Sequence, residues 1–158
     1  MKTRLFAGTF LHHNNDVILI QRGMHKKISP GLWAGIGGHV EADEYNNPLS
    51  ACIREITEET GLAPEDISEL KLSYHATCKT KDTLDTIYYF TGNVKEKYPL
   101  VQTDEGVLYW VDKYKALDYP MAPHVKEFYT HWVSNPEYSR IYCCLVGSDG
   151  EMSMHEMA

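Results

Sequence analysis

The sequence predicts an α/β fold, in which a mixed β-sheet lies between helices. Three observations carry that expectation. Short runs rich in β-branched and aromatic residues recur along the chain. Two longer segments carry apolar residues at the helical period. Those two segments are separated by strand runs rather than adjacent to each other.

The elements follow in order. LFAGTFLHH (5–13) and VILIQR (17–22) read as strands joined by a polar turn at His13-Asn14-Asn15-Asp16. Pro30-Gly31 marks a turn, and WAGIGGHVEADE (33–44) holds too much glycine for regular structure. A helix then begins near Pro48, with Asn47 placed to cap it and Gly61 suited to the left-handed residue after its end. Leu49, Cys52, Ile53 and Ile56 are expected to face the core. LKLSYHATC (70–78), DTIYYFTGNV (85–94) and GVLYWV (106–111) read as further strands. A second helix spans Met121 to Val133, and a hairpin around Ser148-Asp149-Gly150 closes the C-terminal stretch, 121–155. With no repeat or linker composition, residues 1–158 are expected to form one domain. Strand pairing does not follow from these patterns.

The chain is 43% hydrophobic and 23% charged, the balance of a globular protein able to bury a core. Its net charge of −7 argues against a nonspecific nucleic-acid binder, which carries a basic face. A phosphorylated small molecule stays open, since a bound divalent metal reverses the local field. No run approaches the ~20 apolar residues of a membrane span, and MKTRLFAGTFLHHNND lacks the apolar core of a signal peptide. Cys52 and Cys78 are isolated and Cys143-Cys144 are adjacent, a spacing that suggests neither a zinc site nor a disulfide framework. The expectation is a reduced, cytoplasmic enzyme or binding domain with no membrane or nucleic-acid partner.

CIREITEETGL (52–62) raises the chemical question, because three glutamates crowd within five residues. Glu55 and Glu59 are one helical turn apart, with Glu58 on the neighbouring row, so like charges repel by a few tenths of a kcal/mol. The plain reading is a solvated acidic face. The other is that Glu55, Glu58 and Glu59 aim into one region, opposite the Leu49/Ile53/Ile56 stripe, and share a hard cation such as Mg²⁺. Gly37-Gly38 would let the backbone approach, with a glycine carbonyl as one more oxygen. Arg54 can pair with Glu44 and fix the geometry.

Taken together, Gly38, Glu44, Arg54, Glu55, Ile56, Glu58, Glu59, Gly61 and Leu62 stand in an order that resembles the Nudix box, over 38–62. The half from Arg54 to Leu62 matches at every fixed position. The interval from Glu44 to Arg54 is two residues longer than the family's, with DEYNNP as a longer turn. This makes Glu44 the position the resemblance secures least. Beyond the box, the pattern of strands extends the resemblance over most of 3–134. The closing hairpin (139–155) resembles the ending of MutT-type oxidised-purine triphosphatase relatives.

The resemblance implies the Nudix α/β/α sandwich with a mixed sheet between helices. It also implies water-driven cleavage of a phosphoanhydride in a nucleoside diphosphate linked to another group, with Mg²⁺ or Mn²⁺. Carried over by position, Glu55, Glu58, Glu59 and Glu105 are metal carboxylates, and the Gly37 carbonyl is a further ligand. The catalytic set is Arg54, Glu55, Glu58, Glu59 and Glu105, with Glu59 or Glu105 taking the proton. Arg22, Gly38 and Trp33 face the substrate, a small nucleotide. The plain reading of nearby Lys26 and Lys27 is solubilising charge beside a turn. The protein is expected to be a monomer or homodimer.

Substrate choice is less determined. GLWAGIGGHVE resembles a stretch of the oxidised-purine triphosphatases, yet Ala34 stands where those enzymes have a base-contacting Asn. Their later pair of acids is replaced by DYPMAPH. A nucleoside triphosphate or related compound is the leading reading. An ADP-ribose or dinucleotide pyrophosphatase and a noncatalytic nucleotide-sensing module are the alternatives. Trp33, Tyr74, Tyr88, Tyr89 and Trp110 are candidates for stacking on a base, or plain core residues.

Overall fold

The computed structural model describes residues 1–157. Its elements are β1 (Lys2–His13), β2 (Asp16–Arg22), β3 (Trp33–Ala34), β4 (Ile36–His39), α1 (Pro48–Thr60), β5 (Ile67–Lys79), β6 (Thr83–Val94), β7 (Gly106–Asp112), α2 (Pro123–Ser134), β8 (Ile141–Val146) and β9 (Met152–Met157). The strands form one mixed sheet in the order β3-β2-β1-β6-β5-β8-β9, with β4 also pairing β1 and β7 pairing β2.

β1 organises this sheet. One edge runs parallel to β6 from Lys2↔Thr83 to His12↔Asn93. Its other edge is divided: Phe6–Thr9 pair antiparallel with β4, and Leu11–His13 with β2. Alternation then sorts side chains to the two faces. Ile18 and Ile20 of β2 join Ala51, Cys52 and Ile56 of α1 in one core layer. Val17 and Leu19 join Val125, Phe128 and Tyr129 of α2 in the other. Burying each such aliphatic side chain contributes about 1.5–3 kcal/mol. The result is an α/β/α sandwich, as expected from the sequence.

Three local expectations are corrected. First, residues 33–39 are not irregular. Trp33-Ala34 pairs with Ile20-Gln21, and Ile36–His39 pairs with β1. Here glycine serves close approach, since a Cβ on Gly37 would stand 2.4 Å from the Ala7 carbonyl oxygen. Second, the buried row of α1 runs through Ala51, Cys52, Ile56 and Glu59. Leu49 lies in the first turn and is 38% exposed, and Ile53 is half-buried. Glu59 therefore lies on the core side rather than opposite it. Third, Asn47 is the N-cap residue but its side chain does not cap. Instead the Ser50 hydroxyl donates to the Asn47 carbonyl at 2.9 Å. At the other end Gly61 takes φ 77°, as expected, and its N–H donates to the Thr57 carbonyl.

Tyr74 and Tyr89 are buried core residues, and the Trp110 indole donates to the Tyr98 carbonyl at 3.0 Å. All four cysteines are free. No helix among the described residues is long and apolar enough to cross a membrane.

Candidate active site

A cleft of about 700 Å³ collects most of the residues singled out by the sequence. Arg22, Trp33, Gly37, Gly38, Arg54, Glu55, Glu58, Glu59 and Glu105 all line it. Lys27 does not. Two ends can be distinguished by chemistry, one acidic and one aromatic.

Arg54 organises the acidic end. Its Nε and Nη2 donate to the two Glu44 oxygens at 3.0 and 2.9 Å. Nη2 also donates to the His39 carbonyl at 3.0 Å. Nη1 donates to Glu55 at 2.8 Å and to Glu58 at 3.2 Å. These contacts engage all five N–H groups of the guanidinium, a fork that lysine does not reproduce. Glu44 keeps its place despite the longer interval before Arg54, because residues 42–44 form a 3₁₀ turn that folds it back. The Arg54 pairing holds the Glu44 carboxyl below the usual carboxylate range.

Glu55 and Glu59 have different surroundings. Gly38 makes room for Glu55, since a Cβ there would stand 2.5 Å from Glu55 Oε1. Burial raises the proton affinity of Glu55, and Arg54 opposes it. Glu59 is only 6% exposed and accepts a hydrogen bond from the Gly37 N–H at 3.2 Å. Among the described residues no basic group lies within ion-pair distance of it. Burial, reinforced by the nearby Glu55 charge, pushes its carboxyl up to about 8. Gly37 is opposite Gly8 in the antiparallel pair, and hydrogen bonding alternates from Val40, which donates to the Leu5 carbonyl. By that alternation both the N–H and the C=O of Gly37 point away from β1, toward α1.

Glu105 is placed across the cleft, where Lys26 reaches it at 3.2 Å and Arg22 at 4.0 Å. Lys26 is thus part of this cluster rather than plain surface charge. Arg22 also donates from Nε to the Ile28 carbonyl at 2.9 Å. Among the described residues no three acidic, histidine or cysteine side chains form a ready coordination group. The reason is visible: Arg54 sits between Glu55 and Glu58, and Glu105 is drawn toward Lys26.

The aromatic end includes residues that sequence reading did not select. Trp33 packs on Tyr119 with ring centroids 4.6 Å apart. Phe6, Ile87 and Tyr89 also line the cleft, with Arg4, Asp85 and His124 as polar groups beside them. Arg4 and Asp85 are 81 positions apart, and only the parallel pairing of β1 with β6 joins them. No local signal announces that pairing.

The fold and the glutamate-bearing helix define the class of the Nudix hydrolases, with a MutT-like fold. The NUDIX domain family model matches residues 2–132, and the chain belongs to that family. It is 27% identical over 124 residues to the CTP pyrophosphohydrolase of Escherichia coli, covering 78% of this chain and 86% of that protein. It is 42% identical over 55 residues to the m7GpppN-mRNA hydrolase NUDT17 of Xenopus laevis, covering 35% of this chain. That match spans only 18% of the length of NUDT17. A MutT protein structure from Bacillus halodurans superposes with a TM-score of 0.70 at 23% identity, covering 97% of each chain.

Proposed function

We propose that this protein is a metal-dependent pyrophosphohydrolase of a nucleoside triphosphate or closely related nucleotide, working in a reduced, cytoplasmic setting. The observation that carries this reading is Glu59, a buried carboxylate without a counter-cation at the head of an oxygen-rich cleft. The donor set suits a hard divalent ion such as Mg²⁺, which takes carboxylate and carbonyl oxygens. Glu55, Glu58, Glu59 and the Gly37 carbonyl would hold it. When bound, such an ion neutralises phosphate oxygens and acidifies a water.

The protein groups have separable tasks. Arg54 positions the carboxylates by tying α1 to the Glu44 turn. Arg22 on the opposite wall, and Lys26 reaching Glu105 from outside the lining, offer donors to the polyphosphate. Substrate phosphates compete for those two cations, releasing Glu105 to accept the proton of the attacking water. The CTP-cleaving activity named for the E. coli relative supports a triphosphate over ADP-ribose.

The test is product release with Mg²⁺ across nucleoside triphosphates, oxidised purine triphosphates, ADP-ribose and dinucleoside polyphosphates. We expect pyrophosphate from a triphosphate, and no turnover by Glu58→Gln or Glu59→Gln proteins that keep the native circular dichroism spectrum. Glu105→Gln should slow turnover by about 10²–10⁴-fold. Retained turnover in the Glu59 variant would remove the site assignment. Silence of the wild type on every substrate, with Mg²⁺ and Mn²⁺ both tried, would favour a nucleotide-sensing module.

A further inference from the structure

The polar groups at the aromatic end of the cleft are far richer than packing requires. Arg4 Nε donates to Asp85 Oδ1 at 2.7 Å, and Nη2 donates to Oδ2 at 2.6 Å. The guanidinium lies 5.5 Å from the centroid of the Phe6 ring, and Phe6 in turn packs on His39 with centroids 4.5 Å apart. Phe6 thus backs the Arg4 side of the pair. Its side chains are 26% and 14% exposed, and the exposed part faces the cleft.

Strand register explains why they meet there. Arg4, Phe6 and Gly8 lie on one face of β1, opposite Asp85, Ile87 and Tyr89 of the parallel β6. Gly8 has no side chain, and the Tyr89 ring fills that space, since a Cβ on Gly8 would be 2.6 Å from it. The Tyr89 hydroxyl is already engaged, accepting from the Gly35 N–H at 2.9 Å. The floor is thus flat and apolar at Phe6, Ile87 and Tyr89, and hydrogen-bonding capacity is concentrated at Arg4–Asp85. His124 opens from the first turn of α2 into the same end. Burial lowers its proton affinity, so its ring serves as a neutral donor and acceptor.

We infer that Arg4–Asp85 is the base-reading element of this cleft and selects a nucleobase bearing an exocyclic amino group. The inference rests on the nucleotide reading above and deepens it. A carboxylate accepts only, and each Asp85 oxygen keeps a lone pair beyond the one used by Arg4. An exocyclic amine supplies the matching N–H, and Arg4 Nη1 donates to the adjacent ring nitrogen or carbonyl. Cytosine, adenine and guanine all present such edges. Uracil puts a carbonyl oxygen where cytosine has the amine, facing the carboxylate, and hypoxanthine leaves it without the donor that guanine supplies. Desolvating a charged acceptor without a partner is the penalty that enforces the choice.

The test compares matched pairs differing at the amino position: CMP with UMP, and GMP with IMP. Binding to the whole protein is measured by calorimetry without divalent metal, alongside hydrolysis of the corresponding triphosphates with Mg²⁺. Wild type should favour the amino-bearing member of each pair by about 10- to 100-fold. Asp85→Asn, which replaces an acceptor with a donor, should collapse or reverse that ratio. Because it disturbs an ion pair, a second protein carries Arg4→Asp with Asp85→Arg. That exchange keeps the pair while inverting donor and acceptor, and should also invert the preference. Equal binding within each pair by wild type, ratios unchanged in both variants, or no monophosphate binding at millimolar concentration would each overturn the inference. Selective monophosphate binding with no triphosphate hydrolysis would uphold it and remove the hydrolase reading instead.

Discussion

Burial strips water from the Glu59 carboxylate, and the neighbouring Glu55 charge raises its proton affinity further, to about 8. The sign of the resulting stability effect is definite. Below pH ~4.5 the group is protonated in both folded and unfolded chains and contributes no difference. Between about pH 4.5 and 8 the unfolded chain ionises while the folded one holds its proton, so stability falls across that window and the loss is complete above 8. Glu59→Gln should therefore stabilise the metal-free protein above pH 8 by several kcal/mol, roughly 2–5, with the gain fading as pH falls toward 4.5. Thermal melts in a chelating buffer across pH 4.5 to 8.5 check this. A gain that did not depend on pH would mean the carboxylate is already compensated. Adding Mg²⁺ should stabilise wild type and not the variant, because ligand binding to the native state alone raises its stability.

At the scale of the element, β4 and α1 separate two kinds of glycine. A Cβ on Gly37 meets backbone, 2.4 Å from the Ala7 oxygen and 2.7 Å from the Gly8 Cα, and strand pairing leaves no freedom to move aside. Gly37→Ala should cost about 2 kcal/mol or more and lower the melting temperature. On Gly38 the obstacle is the Glu55 carboxylate, the end of a flexible side chain. Gly38→Ala should melt close to wild type yet lose most activity as Glu55 swings away from Arg54; parallel melts and rates distinguish the two. These elements also mark what was legible. α1 was readable because Pro48, Gly61 and the glutamates are local signals at fixed spacing. The strand character of 33–39 was hidden, because glycines placed for close approach look the same as glycines placed for turns. Arg4, Asp85 and His124 passed unnoticed because each is ordinary alone, and long-range strand register brings the first two together.

For the molecule as a whole, two titrating sets pull in opposite directions. Burial lowers the proton affinity of His12, His75, His124 and His131. Their contribution is fully present above the unfolded value of 6.5 and is lost as pH falls through the lower folded values. Glu55 and Glu59 act the other way, so metal-free stability should peak between the two trends. In the Glu59→Gln background the peak should flatten, and the melting temperature should decline steadily from pH 7.5 to 5. A melting temperature that held constant over that range would show that the histidines are solvated. The sheet has a further property in time. β1 satisfies one whole edge only with β6, through a register in which Arg4 meets Asp85. A ribosome adding about 5–20 residues per second leaves that edge unpaired for several seconds before β6 emerges. Until then the first hairpin of the nascent chain carries an open hydrogen-bonding rail of alternating apolar residues, the shape that invites pairing with a neighbouring copy. Slowing translation ahead of β6 should lower the protein's soluble yield more than slowing it after β7.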